Sequence, residues 1–127
     1  MLISSNMNEK TGHDELKAEI ERKNFVRASL VAEQIGLPEE EVRNLRCKAL
    51  GQMSVFYRNA HGTNKLALQY GFSREEVKQI LKQFANEMKN EGNNKPLKPC
   101  YDYSTGKYLS FEEWMDHYLK IWDKITV

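Results

Sequence analysis

A mainly α fold with one small β-hairpin near the C-terminus is predicted by three features of this 127-residue sequence. Residues 31–53, VAEQIGLPEEEVRNLRCKALGQM, align without gaps on residues 66–88, LALQYGFSREEVKQILKQFANEM, with seven of 23 positions identical at an offset of 35. Ser73 with Glu76, and Ser110 with Glu113, form two Ser-x-x-Glu capping boxes, each ahead of apolar residues at helical spacing. The run CYDYSTGKYLS alternates tyrosines around Ser-Thr-Gly-Lys, the pattern of a hairpin with Gly106 in its turn. Together they predict five or six helices and one hairpin in a single domain.

Taken in order, residues 1–12 read as a loose tail and residues 13–127 as the domain. From Asp14 to about Asn24, Leu16 and Ile20 lie four apart among charges, a short amphipathic helix. The first repeat copy occupies 30–53. Val42, Leu45, Ala49, Met53 and Phe56 keep helical spacing beyond it, although Gly51 inside such a helix costs about 1 kcal/mol relative to Ala. Asn59, His61, Gly62 and Thr63 read as a loop, with Thr63 the N-cap of the next helix. The second copy occupies 65–88. KNEGNNKPLKP is a polar linker with Gly and two Pro. A hairpin over 99–109 and a helix over 110–124 complete the chain.

The identical positions of the repeat carry its meaning. Ala32/Ala67, Gly36/Gly71 and Val42/Val77 are the small, turn and apolar residues that two short helices need where they meet at a sharp turn, with Leu45/Ile80 completing the contact. In this spacing the chain resembles helix-turn-helix DNA-binding proteins, as two tandem units across residues 30–90. The fold class becomes a helix-turn-helix bundle with a small C-terminal β-hairpin, and the hairpin resembles the wing of winged-helix proteins. A period of 35 is near the tetratricopeptide length, but the Trp, Leu-Gly and Tyr signature of that repeat is absent.

Charge distinguishes the two copies. The formal net charge is +1, yet residues 43–95 hold ten Lys or Arg against four Glu. In the first copy Pro38 suits a helix start, and Glu39, Glu40 and Glu41 follow it, where they would repel phosphate. In the second, Arg74, Lys78 and Lys82 recur every four residues, with Gln79 and Gln83 further round. The resemblance therefore implies double-stranded DNA as partner. Arg74, Lys78, Gln79 and Lys82 would face the major groove, and Lys65, Ser73 and Lys107 would contact phosphate.

Phe111, Trp114, Met115, Tyr118, Leu119 and Trp122 give the last helix a broad aromatic face. Such a face is either core or a homodimer contact through Trp114, Tyr118 and Trp122. Paired half-sites, common among helix-turn-helix proteins, make the dimer an expectation.

Other chemistry is poorly represented. No phosphate loop, dinucleotide fingerprint or HExxH pair occurs. His13, His61 and His117 are scattered, and Cys47 and Cys100 are too few for a disulfide framework or a zinc site. The expectation is a protein that is not an enzyme and carries no cofactor or metal. No secretory signal or membrane-length apolar run is evident, so a cytoplasmic location is expected. Two functions fit: a bacterial or phage transcriptional regulator that reads DNA, or a protein-interaction module of the same shape, such as a phage packaging or replication accessory or a regulator of another DNA-binding protein.

Overall fold

The computed structural model describes the backbone of residues 2–126 and the side chains of residues 11–126. Seven α-helices and one two-stranded antiparallel hairpin are present among them. The contacts divide the chain, expected as one domain, into two compact units, residues 1–49 and 50–127. The turn of the first repeat copy lies in one and that of the second in the other.

The first unit holds α1 (Leu2–Glu21), α2 (Phe25–Gln34) and most of α3 (Glu39–Gly51). Leu16, Ala28, Val31, Ala32, Val42 and Leu45 form its core, with Phe25, Ile35 and Leu37 packed at the edge. Residues 2–12, expected as a tail, are helical. Within this extension Gly12 makes room for Ile35, since a Cβ there would stand 2.4 Å from Ile35 Cγ2. Glu19 is buried and accepts hydrogen bonds from Asn24 Nδ2 at 2.8 Å and Arg22 Nη1 at 3.3 Å, which ties off the end of α1.

The second unit begins in the last turn of α3 and widens into a π-helical turn, Gln52–Phe56. Ser54 Oγ donates back to Leu50 O at 2.9 Å and Gly51 O at 3.2 Å, competing with the backbone for those carbonyls. Then come α4 (Ala60–Gln69), α5 (Arg74–Asn90), a 3₁₀ turn at Lys95–Leu97, β1 (Cys100–Asp102), β2 (Lys107–Leu109), α6 (Phe111–Lys120) and α7 (Trp122–Thr126). The hairpin falls where its alternation predicts, with Tyr101 opposite Tyr108. The helix expected over 110–124 is broken at Ile121, which caps α6.

Two further expectations give way to local chemistry. The loop before the second copy is already helical from Ala60, and Asn59, not Thr63, is its N-cap: Asn59 Oδ1 accepts from Gly62 N–H at 2.8 Å. Thr63 sits one turn inside, fully buried, its hydroxyl spent on Asn59 O at 2.7 Å.

Trp114 and Tyr118, expected at a dimer contact, are 2% and 0% exposed, and Trp122 is 8% exposed. Phe111, Trp114, Tyr118 and Trp122 form one continuous aromatic ladder with centroids 5.4–6.0 Å apart. Tyr118 Oη donates to Asn64 Oδ1 on α4 at 3.3 Å, and Asn64 Nδ2 donates to Thr126 Oγ1 on α7 at 3.1 Å. These rings are the core of the second unit. None is available to a second copy without unfolding it, and the aromatic dimer face is thereby corrected.

Candidate nucleic-acid interface

The two repeat copies build the same turn, bond for bond. In the first, Gly36 takes φ +77° and Leu37 N–H reaches back to Ala32 O at 3.0 Å. In the second, Gly71 takes φ +75° and Phe72 N–H reaches Ala67 O at 2.9 Å. This is the Schellman arrangement, in which a left-handed residue that only glycine adopts cheaply satisfies the last carbonyls of the helix. Ala32 and Ala67 are both 0% exposed, and Val42 and Val77 are 2% and 0%. Four residues separate the helices in each copy.

In the second copy the capping box forms as its sequence demands. Ser73 Oγ accepts from Glu76 N–H at 3.2 Å while Glu76 Oε1 accepts from Ser73 N–H at 3.1 Å. Val77, Ile80, Leu81, Ala85 and Met88 bury one side of α5. Ser73 thus lies at the turn facing solvent, with its acceptor role used in the cap.

The opposite side of α5 is polar and organised in lines. Gln79, Gln83, Asn86 and Asn90, spaced four, three and four apart, are all exposed and follow one face of the helix. Gln83 had a place in the sequence reading, but Asn86 and Asn90 did not. Their spacing was the available signal, obscured because residues beyond 83 look like the run-out into a linker. Lys78 and Lys82 flank this line, and neither forms an ion pair among the described residues. Gln79 Nε2 donates to Glu75 Oε1 and Gln83 Nε2 to Glu87 Oε1, each at 3.3 Å, which orients the amides along the helix.

Arg74 departs from the expected set. Its Nε donates to Leu119 O at 3.0 Å, so the guanidinium caps the C-terminal end of α6 and is turned away from the amide line. Lys82 and Lys89, with Asn86, line a groove of about 320 Å³ whose other wall is Phe111, Glu112 and Met115 on α6. Lys65 on α4 and Lys107 on β2 are exposed. The structure thus gathers Lys78, Gln79 and Lys82 on one helix with Ser73 at its start, whereas Lys107 belongs to the separate hairpin and Arg74 to the packing of α6.

A second cleft, of about 610 Å³, opens between the π-helical turn, the hairpin turn and α6, lined by Tyr57, His61, Asp102, Trp114 and His117 among others. Burial alone would raise the Asp102 pKa. Hydrogen bonds from the Ser104 hydroxyl at 2.7 Å and the Thr105 amide at 2.9 Å, with the charge of His117, outweigh it and hold the carboxyl below the usual range. That aspartate is thereby committed to its turn. Neither Cys47 nor Cys100 forms a disulfide among the described residues. Among the described residues no three His, Cys, Asp or Glu side chains come together as metal ligands, and no helix is long and apolar enough to cross a membrane.

Compared with protein families, curated proteins and solved structures, the chain matches none.

Proposed function

We propose that this chain is a sequence-specific DNA-binding protein, a transcriptional regulator of bacterial or phage type, in which α5 enters the major groove. One observation carries the reading. The exposed side of α5 sets Gln79, Gln83, Asn86 and Asn90 in one line beside Lys78 and Lys82, on a helix anchored along its other side and entered through a four-residue glycine turn. Amide side chains pair bidentately with adenine N6 and N7 in the major groove, and lysines neutralise phosphates on the way in. Lys65 and Ser73, exposed on the same helix pair, would contact the phosphate backbone beside such a groove. Arg74 is outside this set.

The test is fluorescence anisotropy of the purified chain on mixed duplex DNA across a salt series. Affinity should fall steeply as salt rises, and the Lys78→Ala/Lys82→Ala variant should lower the slope of log K against log salt by about two. Duplex binding that is absent even at low salt would end this reading.

A protein-interaction module is the second reading, and Glu39, Glu40 and Glu41 favour it for the first unit. All three are exposed in the first turn of α3, the position at which a groove-entering helix would meet phosphate. The anisotropy series separates the two readings, since the interaction module predicts no salt-dependent duplex affinity.

A further inference from the structure

The hairpin turns its aromatic face outward. Tyr101 pairs with Tyr108 and Asp102 with Lys107. Alternation along each strand therefore sets Tyr101 and Tyr108 on one face and Cys100, Asp102, Lys107 and Leu109 on the other. Tyr103, at the start of the turn, joins the aromatic face, with ring centroids 4.9 Å from Tyr103 to Tyr101 and 5.3 Å from Tyr101 to Tyr108, both edge-to-face. Tyr103 is 91% exposed and Tyr108 70%. A hairpin that served only to cover the core would turn its rings inward.

Backbone contacts hold this hairpin in place, and the tyrosines are not needed for it. Arg58, at φ +49°, donates from its guanidinium to Leu109 O at 3.1 Å, Pro96 O at 3.1 Å and Lys98 O at 3.0 Å, pinning the segments that enter β1 and leave β2. The same guanidinium lies over the Phe111 ring, 5.5 Å from its centroid. A clamp of this kind leaves the outward rings pre-ordered and uncommitted.

Charge chooses the occupant. Lys95 and Lys98 are exposed just ahead of β1, whereas Lys107 and Asp102, the one acid between residues 95 and 109, share the opposite face, with Asp102 bound to its own turn. Exposed rings with a cationic margin suit a polyanion that offers flat apolar faces. A duplex hides those faces in its own stack, whereas a single strand presents them.

We infer that the Tyr101–Tyr103–Tyr108 face is a platform for the unpaired bases of a single-stranded nucleic acid. Tyr103 and Tyr108 stack on the bases, Tyr101 buttresses both, and Lys95 and Lys98, ahead of β1, take the phosphates. The platform is independent of the groove reading of α5, since it lies on another element and needs another form of nucleic acid.

The experiment uses the full chain and a fluorescein-labelled oligothymidine of about 12 nucleotides, a length within the usual site range for stacking platforms. Anisotropy should show salt-sensitive binding that Tyr103→Ala/Tyr108→Ala weakens about tenfold or more. Tyr103→Phe/Tyr108→Phe should bind within about twofold of the parent, because stacking needs the ring and not the hydroxyl. Circular dichroism of both variants checks that the fold is retained. Tyr103→Ala/Tyr108→Ala should keep the duplex affinity of the parent while losing oligothymidine, so failure of the α5 reading and failure of this one are told apart. An oligothymidine that does not bind at low salt, or that binds the alanine variant as tightly as the parent, overturns the proposal, and the first of these would leave a protein as the face's partner.

Discussion

Arg74 Nε donates to the carbonyl of Leu119 at 3.0 Å, joining the first residue of α5 to the end of α6 across 45 positions of sequence. One side chain adds a second donor to a carbonyl that already accepts a backbone N–H and sets a cation at the negative end of the α6 dipole. Arg74→Ala should therefore lower stability by about 1 kcal/mol, read as a drop in Tm of about 4 °C. Arg74→Lys should recover little, because a lysine lacks the fixed Nε geometry.

Lys78 and Lys82 should behave in the opposite way. Both lie on the same helix without an ion-pair partner among the described residues, so replacing them with Ala removes no ion pair of the fold. Their double variant should melt within about 1 °C of the parent while losing duplex affinity, a separation of stability from binding that Arg74→Ala would not show. Equal losses of Tm in the two variants would contradict this division of the basic flank.

Gly51 inverts the usual helix rule. A Cβ at this position would lie 2.3 Å from Phe84 Cδ2 and 2.6 Å from its Cγ, so the ring of α5 occupies the space a side chain needs. Propensity alone favours alanine here by about 1 kcal/mol. Overpacking costs typically about 1–3 kcal/mol, and the prediction is a net loss of stability in Gly51→Ala. Adding Phe84→Leu should reverse the sign of the glycine substitution in a double-mutant cycle measured by denaturant unfolding. Additive effects would mean that the ring moves aside without cost.

The contrast between Gly51 and Gly71 marks where sequence reasoning reaches its limit. Gly71, Ala67, Val77 and the Ser73–Glu76 box were legible because their partners lie within about ten residues, and short-range geometry alone determines what those positions require. The hairpin and its turn at Gly106 were legible for the same reason. Gly51 looked like a penalty because Phe84 is 33 positions away, and Arg74 looked like a groove contact because Leu119 is 45 away. The aromatic face of α6 was legible as an apolar stripe, but not its occupant. Only the arrival of Asn64 beside Tyr118 shows that α4 covers it. In the candidate site, Lys78, Gln79 and Lys82 came from local spacing, whereas the full amide line needed the observed end of α5 at Asn90.

Tyr118 tests that covered core directly. It is fully buried, and burial pushes its phenol well above the ordinary tyrosine range, so the hydroxyl stays protonated and donates to Asn64 Oδ1. Tyr118→Phe keeps the ring ladder but leaves the Asn64 oxygen without its donor, at a cost of about 1–2 kcal/mol. Asn64→Ala alone should also destabilise, and the double variant should lose less than the sum, measured by urea unfolding. A fully additive pair would show that the hydroxyl and the amide contribute separately.

The hairpin turn should carry a pH signature of its own. Asp102 is held below the ordinary aspartate value of 3.8: burial acts to raise it, but the bonds from Ser104 and Thr105 and the charge of His117 prevail. A carboxyl whose folded pKa is depressed contributes stability that is fully present above its unfolded value and is lost as pH falls through the lowered folded value. The Thr105 amide signal followed by NMR should thus stay constant down to about pH 4 and move only below it, as the carboxylate that binds it takes up a proton. Asp102→Asn keeps an acceptor oxygen but cannot titrate, so the movement should disappear while the hairpin pattern persists. Arg58 gives the check from the other side. Its guanidinium is held by the carbonyls of Leu109, Pro96 and Lys98 and not by the Asp102 carboxylate, so Asp102→Asn should loosen that clamp only slightly. A Thr105 signal that titrates equally in the Asn variant would place the responsible group elsewhere than Asp102.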